Sequence, residues 1–269
     1  MSVSFDGAEA LRFGDVTARR DLDGVAWVEV HRPPNNFFDV QLISALADSY
    51  EALEVDGRSR VIILCSEGKN FCAGAEFAPR VSSFERSLPF SVSDLYREGS
   101  RLFGAALPVV AAVQGAAVGG GLGLACSADF RVASRESRFC ANFAQLGFHQ
   151  GFGLSVSLPG IVGQQRAWDL MLTGRRIDGI EALGLGLCDS LVDDVDIRGE
   201  ALRLAREIAT SAPLAVRSIR STLRRPLLER LDEALTHEAH EQDALRETED
   251  FKEGVRAMHD RRTPKFSGR

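Results

Sequence analysis

Residues 108–123 read PVVAAVQGAAVGGGLG, a run of small and β-branched residues that ends in four glycines within five positions. The segment lies inside 27 residues, between Arg101 and Asp129, that carry no formal charge in a chain with 26% charged residues. Length alone would allow a membrane helix. Pro108 and six glycines would weaken such a helix, and its ends lack the Lys/Arg asymmetry of membrane proteins. The stretch therefore predicts a buried strand, a glycine-rich turn and a short helix reaching Ala128, without membrane contact.

Composition narrows the class of protein further. The chain has 269 residues, of which 45% are apolar, and this suffices for the core of one large domain or two small ones. The net charge of -6 argues against a nucleic-acid partner. The first 15 residues lack the apolar run of a signal peptide, so we expect a cytoplasmic protein. Five cysteines without C-x-x-C spacing predict buried free thiols and no metal site.

Hydrophobic spacing predicts a mixed architecture of strands and helices. Turn residues 21–24 between two alternating runs predict a hairpin, and a helix over residues 42–53 leads to a buried strand at 61–64. The same reasoning predicts a helix at 92–103 and strands at 109–113, 130–133 and 138–141. This order predicts an α/β fold with right-handed crossovers. The pattern becomes helical from about residue 159, and we divide the chain into a core, 1–200, and a helical region, 201–269.

The glycine run does not match a nucleotide-binding motif. Leu124 stands where the dinucleotide fingerprint needs Gly or Ala, and Gly121-Leu122 replaces the Lys and Ser/Thr of a P-loop. Two interpretations of the glycines remain: bare backbone N–H groups that bind an oxyanion at a helix start, or tight packing of helix against strand. A second segment of small residues, 71–77 (FCAGAEF), also follows a predicted core strand. Two such turns could direct two N–H donors to one carbonyl oxygen.

Several ordered motifs resemble the crotonase superfamily of enoyl-CoA hydratases and isomerases. Residues 28–35 (VEVHRPPN) are similar to its first strand and turn, 71–77 to its "F.AGAD" signature, and 261–266 (RRTPKF) to its closing motif. The segment that opens this section resembles "P.IAAV.G.A.GGG". The resemblance implies a spiral of ββα units followed by a helical trimerisation region, and a homotrimer or a dimer of trimers. It also implies an acyl-CoA thioester ligand, a role in fatty acid metabolism, and no cofactor beyond the coenzyme A of the substrate.

The resemblance also implies a set of site residues. The N–H groups of Ala73 and Gly120 would bind the thioester oxygen and stabilise an enolate-like intermediate. Further residues of the implied site are expected to contact the substrate. Lys265 and Phe266 match C-terminal residues of the family that reach the adenine and phosphates of coenzyme A. These expected contacts are Gly74, Ala75, Glu76, Phe143, Lys265 and Phe266.

The sequence departs from the family at the acid and base positions. Hydratases use two glutamates, whose places fall on Gly123 and Phe143 here, and a carboxylate used by related dienoyl isomerases falls on Gly151. None of these residues can exchange a proton. His149 lies beside these positions and titrates near neutral pH, so it is a candidate replacement. The alternative for His149 is a loop histidine bonded to backbone.

Other candidates each have a structural interpretation beside a functional one. Glu76 is predicted to cap a following helix, with a base as the alternative. Arg32 could bind a CoA phosphate or form a surface ion pair. Cys72 and Cys140 offer only a minor option for covalent catalysis. Three residues of one helix, Tyr96, Arg97 and Glu98, are interpreted as solvated surface, with lining of the acyl pocket as the alternative. The side-chain amides of Asn142 and Gln150 could orient water or substrate.

Three hypotheses for function follow. The first is an enoyl-CoA hydratase/isomerase-like enzyme, a lyase or isomerase, that stabilises a thioester enolate but does not carry out standard hydration. The second is a CoA-thioester-binding protein with little or no hydratase activity. A divergent crotonase reaction that uses His149 is a further alternative to the first. The third is an interaction module that uses the charged C-terminal helices, 229–262.

Overall fold

The computed structural model describes residues 10–76 and 92–269, and the strands within them form two sheets. The larger sheet has the order β1-β2-β3-β4-β5-β7-β10, and the smaller has the order β6-β8-β9. The strands are β1 Leu11–Phe13, β2 Val16–Arg20, β3 Val25–Val30, β4 Val61–Ser66, β5 Val109–Val113, β6 Ala116–Val118, β7 Phe130–Ser134, β8 Arg138–Cys140, β9 Arg176–Asp178 and β10 Ser190–Val192.

The helices described between and after these strands alternate with them through the first part of the chain and dominate the last part. They are α1 Val40–Val55, α2 Val92–Phe103, α3 Gly120–Ser127, α4 Leu154–Val162, α5 Gln164–Thr173, α6 Gly179–Gly184, α7 Ile197–Ala209, α8 Pro213–Arg246 and α9 Glu249–His259. The predicted α/β fold with C-terminal helices is confirmed. The predicted division after residue 200 stays a prediction.

The larger sheet is antiparallel only at its hairpin edge. β2 pairs with β3 in the predicted hairpin, and β3, β4, β5, β7 and β10 then run parallel. Both faces of β4 are buried: Ile62 and Leu64 belong to the core shared with α1, whereas Val61 and Ile63 pack with α7 on the other face. A strand buried on both faces is continuously apolar, which is why residues 61–64 read as they do.

The uncharged stretch folds as strand, turn and helix, with one addition. Between β5 and α3 the chain forms β6, which pairs in parallel with β8 and places Ala117 beside Cys72 in an isolated bridge. Gly115 and Gly119 flank β6 with φ of 57°, a left-handed conformation that favours glycine. The sequence did not predict β6 because three small residues carry no alternation of apolar and polar side chains. This strand brings the two glycine-containing turns together.

Candidate active site

The two turns lie side by side. Cys72 donates its N–H to Ala116 O at 2.9 Å, and Val118 donates to Cys72 O at 3.0 Å. At Gly74, whose φ is 85°, an added Cβ would lie 2.7 Å from Val118 O and 3.8 Å from Gly120 N. The first turn therefore runs directly against the start of α3, as two oxyanion-binding turns would require.

The glycines also serve packing. A Cβ on Gly120 would lie 2.1 Å from the ring of Phe38, and a Cβ on Gly121 would lie 2.1 Å from Cys72 O. Phe38 in turn donates its N–H to Gly74 O at 3.0 Å. Phe38 thus contacts both turns, and the packing and bare-amide interpretations of the glycine run apply to the same residues.

The amide predicted at Ala73 is not free. Its N–H donates to Asn35 O at 2.9 Å, so Ala73 holds the turn in place and the prediction that this N–H binds a ligand is wrong. Gly119 is likewise engaged, with Cys140 O at 2.8 Å. Among the described residues, the N–H groups of Ala75 and Gly120 have no hydrogen-bond partner. Gly120 opens α3, where the first N–H groups lack helical partners and the dipole is positive.

Ala75 and Gly120 line a cavity of about 230 Å³ whose wall is mostly aromatic and aliphatic. None of the described lining residues is Asp or Glu. Its aromatic residues are Phe37, Phe38, Tyr96, Phe143, Phe148 and Phe152, and its amide and charged side chains are Asn142, Gln242 and Arg246. The cavity suits an apolar chain whose polar end meets the two backbone N–H groups.

Bulky neighbours occupy the places of the absent carboxylates. A Cβ on Gly123 would lie 2.8 Å from Phe152 Cβ, so Phe152 occupies the space that a side chain at position 123 would need. A Cβ on Gly151 would lie 1.7 Å from the Tyr96 hydroxyl oxygen and 2.6 Å from Gln242 Nε2. Phe143 is buried and lines the cavity as a hydrophobic wall. At Gly123 and Gly151 the surroundings leave no space for a glutamate side chain, whereas at position 143 the phenylalanine itself occupies the place.

Two predicted residues lie away from the cavity. The His149 ring does not line it, and its Nδ1 donates to Gln150 O at 2.8 Å, which is the backbone-bonded loop alternative. Arg32 forms ion pairs with Asp15 at 2.7 Å and Asp39 at 2.9 Å. His149 thus adopts the backbone-bonded alternative and Arg32 the ion-pair alternative, and binding of a CoA phosphate by Arg32 stays a prediction.

The remaining predicted contacts divide between the cavity and the surface. Gly74 and Ala75 line the cavity, whereas Glu76 is exposed, and the helix it was expected to cap falls outside the described residues. Lys265 and Phe266 are exposed; the Lys265 N–H donates to a carboxylate oxygen of Glu253 at 2.8 Å. Their contact with coenzyme A stays a prediction.

Tyr96 is the site residue whose environment the sequence misjudged. It is buried and lines the cavity, whereas Arg97 on the same helix is exposed. Burial raises the pKa of the Tyr96 hydroxyl, so it keeps its proton at neutral pH. The strong amphipathic spacing of α2, with Val92, Leu95 and Tyr96 on its buried side, is the signal that could have placed it.

The cysteines near the cavity are not poised as nucleophiles. Burial raises the pKa of the Cys72 thiol to about 12 and also raises that of Cys140. A thiol needs its thiolate form to attack, so neither residue is activated. The described residues include no cluster of three or more His, Cys, Asp or Glu that could hold a metal ion. None of the described helices is both long enough and apolar enough to cross a membrane.

Comparisons with known proteins agree with the fold. The enoyl-CoA hydratase/isomerase family model matches residues 20–269. A Bacillus subtilis protein named "Probable enoyl-CoA hydratase" is 32% identical over 248 residues, 91% of this chain and 95% of that protein. The 1,2-epoxyphenylacetyl-CoA isomerase of Escherichia coli is 30% identical, with 91% and 96% covered. The crystal structure of an enoyl-CoA hydratase/isomerase from Pseudoalteromonas atlantica superposes with a TM-score of 0.83 at 30% identity, over 94% and 100% of the chains.

The sheet order, the C-terminal helices and this likeness define a crotonase-fold protein. Since the family model spans nearly the whole chain and relatives at 30% identity or more are covered almost completely, the chain belongs to the enoyl-CoA hydratase/isomerase family.

Proposed function

We propose that the protein binds an acyl-CoA thioester and stabilises its enolate through the N–H groups of Ala75 and Gly120. The observation that carries the proposal is a pair of amides, on adjacent turns at the wall of one apolar cavity, that have no hydrogen-bond partner within residues 10–76 and 92–269. The thioester oxygen would accept both hydrogen bonds, and the acyl chain would lie against the aromatic wall. The family membership supports a CoA thioester as the ligand.

The chemistry follows from where charge develops. When a base takes a proton from the carbon next to a thioester carbonyl, the electron pair of the C–H bond stays behind and negative charge moves onto the carbonyl oxygen, where fixed donors stabilise it most. Gly120 N–H lies at the positive end of α3, which adds to this stabilisation. Loss of one such donor typically costs about 3 kcal/mol in the transition state.

Hydration by two glutamates is not part of the proposal. No carboxylate belongs to the described lining of the cavity, and Tyr96, whose raised pKa keeps its hydroxyl protonated, can donate a hydrogen bond but does not act as a base. The same observation favours the second candidate function, a CoA-thioester-binding protein with little chemistry. A divergent reaction using His149 has no support, because that ring lies outside the cavity wall.

A ligand comparison tests the donors without changing the protein. Calorimetry would compare butanoyl-CoA with S-butyl-CoA, the thioether that lacks only the carbonyl oxygen. Two hydrogen bonds of about 1 kcal/mol each predict that the thioester binds roughly ten- to thirtyfold more tightly. Equal affinities would show that the amides do not bind the oxygen, and no binding of either would remove the proposal.

A turnover experiment separates the two candidate functions. Enoyl-, 3-oxoacyl- and 3-hydroxyacyl-CoA substrates would be incubated with the purified protein and followed by mass spectrometry. Conversion of any of them would support the enzyme, whereas tight binding without conversion of the whole panel would support the binding protein. The expected homotrimer or dimer of trimers stays a prediction that light scattering would test.

A further inference from the structure

Arg246 brings a positive charge to the apolar cavity. It is the last residue of α8, its side chain is 18% exposed, and it lines the cavity beside Tyr96 and Gln242. No other Lys or Arg belongs to the described part of the lining, and neither does an Asp or Glu. An apolar acyl chain alone would not require a guanidinium in this wall.

The guanidinium is incompletely paired. Its ion pair with Asp243 spans 3.4 Å, and that carboxylate is 65% exposed; its other contact is Gln242 Oε1 at 3.2 Å. Arg246 Nε is buried and has no hydrogen-bond partner among the described residues. Burial lowers the pKa of Arg246, yet a guanidinium in a protein keeps its charge. A partly buried positive charge with one weak ionic partner lowers the stability of the folded protein unless a further anion pairs with it.

A buried arginine with a purely structural role looks different in the same helix. Arg224 donates to Asp129 and to Ser127 O, each at 2.8 Å, and is 11% exposed. That guanidinium is satisfied within the protein. The contrast indicates that Arg246 has donor capacity left for a ligand.

The neighbours of Arg246 hold it at the cavity. Gln242 donates from Nε2 to His149 O at 2.9 Å and accepts from Arg246, so His149 fixes the amide through its backbone. The Tyr96 hydroxyl approaches the same place, which only the missing side chain of Gly151 leaves open. Tyr96, Gln242 and Arg246 therefore form a polar cluster, with three kinds of hydrogen-bond donor, in one part of an otherwise apolar cavity.

We propose that Arg246 binds a carboxylate carried by the acyl group, so that the ligands are CoA thioesters of dicarboxylic acids. A carboxylate accepts a forked pair of hydrogen bonds from a guanidinium, and the Tyr96 hydroxyl and Gln242 amide supply further donors. The inference rests on the proposed function, since it names the substrate class of the same cavity.

Matched ligand pairs test this inference. Calorimetry would compare succinyl-, glutaryl- and adipoyl-CoA with butanoyl-, pentanoyl- and hexanoyl-CoA, pairs that differ in a terminal carboxylate or methyl group. We expect the wild type to bind the dicarboxylic member of at least one pair about tenfold or more tightly. Arg246→Met should abolish that preference by weakening the dicarboxylic member far more than the neutral one, and Arg246→Lys should retain part of it. Arg225→Met is the control, since Arg225 is an exposed arginine of the same helix outside the cavity wall.

The outcomes are distinct. Equal binding within every pair, or a preference that survives in Arg246→Met, would overturn the inference while leaving the proposed function intact. An equal loss of both members in Arg246→Met would also overturn it, because Arg246 would then contact coenzyme A itself. No binding of any thioester would overturn the proposed function. If Arg246→Met fails to fold by circular dichroism, the wild-type pairs and Arg246→Lys decide the question.

Discussion

The contact between Phe38 and Gly120 gives a quantitative prediction for the site. In Gly120→Ala the new Cβ would lie 2.1 Å from Phe38 Cζ and 2.4 Å from Cε1. The closer distance is about 1.4 Å shorter than an optimal carbon contact of about 3.5 Å. Phe38 is 6% exposed and its ring borders the cavity, so relieving this contact requires the ring to leave its packed position and turn toward the cavity. We expect Gly120→Ala to lower the free energy of unfolding by about 2 to 3 kcal/mol.

A second substitution tests whether the ring is the cause. Phe38→Leu removes the outer ring atoms and should cost about 1.5 kcal/mol alone. The double variant should lose only about 1.5 to 2 kcal/mol, far less than the sum of the single losses, a coupling of about 2 kcal/mol. Urea unfolding followed by circular dichroism measures all four proteins, and Gly120→Ala should melt roughly 4 to 12 °C below the wild type.

The control is another helical glycine. Gly199 lies in α7, and a Cβ there would meet no atom within 4 Å, so Gly199→Ala should be neutral or more stable by up to about 1 kcal/mol. The reasoning would be refuted if Gly120→Ala changed stability by less than about 0.5 kcal/mol, or if the double variant equalled the sum of the singles.

Three further predictions concern the buried groups. Burial opposes ionisation of Asp129, but Arg224 and Arg220 hold its pKa below the usual range, so its stabilisation is present above about pH 4 and is lost as pH falls through the folded pKa. Asp129→Asn should therefore cost about 3 to 5 kcal/mol at pH 7 and flatten the acid side of a stability-pH curve; an unchanged curve would contradict this. The five cysteines are buried, so a disulfide reagent at pH 8 should label them only after denaturation, and prompt labelling of the native protein would show otherwise. Gly123→Glu should destabilise the protein against Phe152 and confer no hydration of crotonyl-CoA by absorbance, whereas a stable, active variant would refute the fit of Phe152 to this position.

Much of the fold was predictable because its signals are local. The buried strand at 61–64, the hairpin and the helix that begins after Gly119 follow from residue period and turn chemistry within short windows. The short strands β1, β6, β9 and β10 were not predicted, because three residues carry too little pattern and their pairing is decided by neighbours distant in the chain.

The candidate site was predictable in outline. The sequence located the two turns and Gly120, but it assigned the second amide to Ala73, whose N–H is used by Asn35. It named His149 as an acid or base because histidine titrates near neutral pH, yet only the fold shows that the ring lies outside the cavity. Tyr96 was interpreted first as solvated surface, with pocket lining only as the alternative, and Arg246 was not named, because polar residues on helices are usually solvated.

The sequence by itself determined the α/β class, the family, the positions of the bare turns and the absence of the usual glutamates. These depend on residue type and short spacing, which the chain states directly. Only the tertiary structure decided which amides of the turns are engaged by described residues, that Phe152 and Tyr96 fill the places of lost carboxylates, and that Arg246 lines the cavity. Such features arise where distant segments pack together, because a hydrogen-bond partner or a steric neighbour far along the chain leaves no mark in the local pattern.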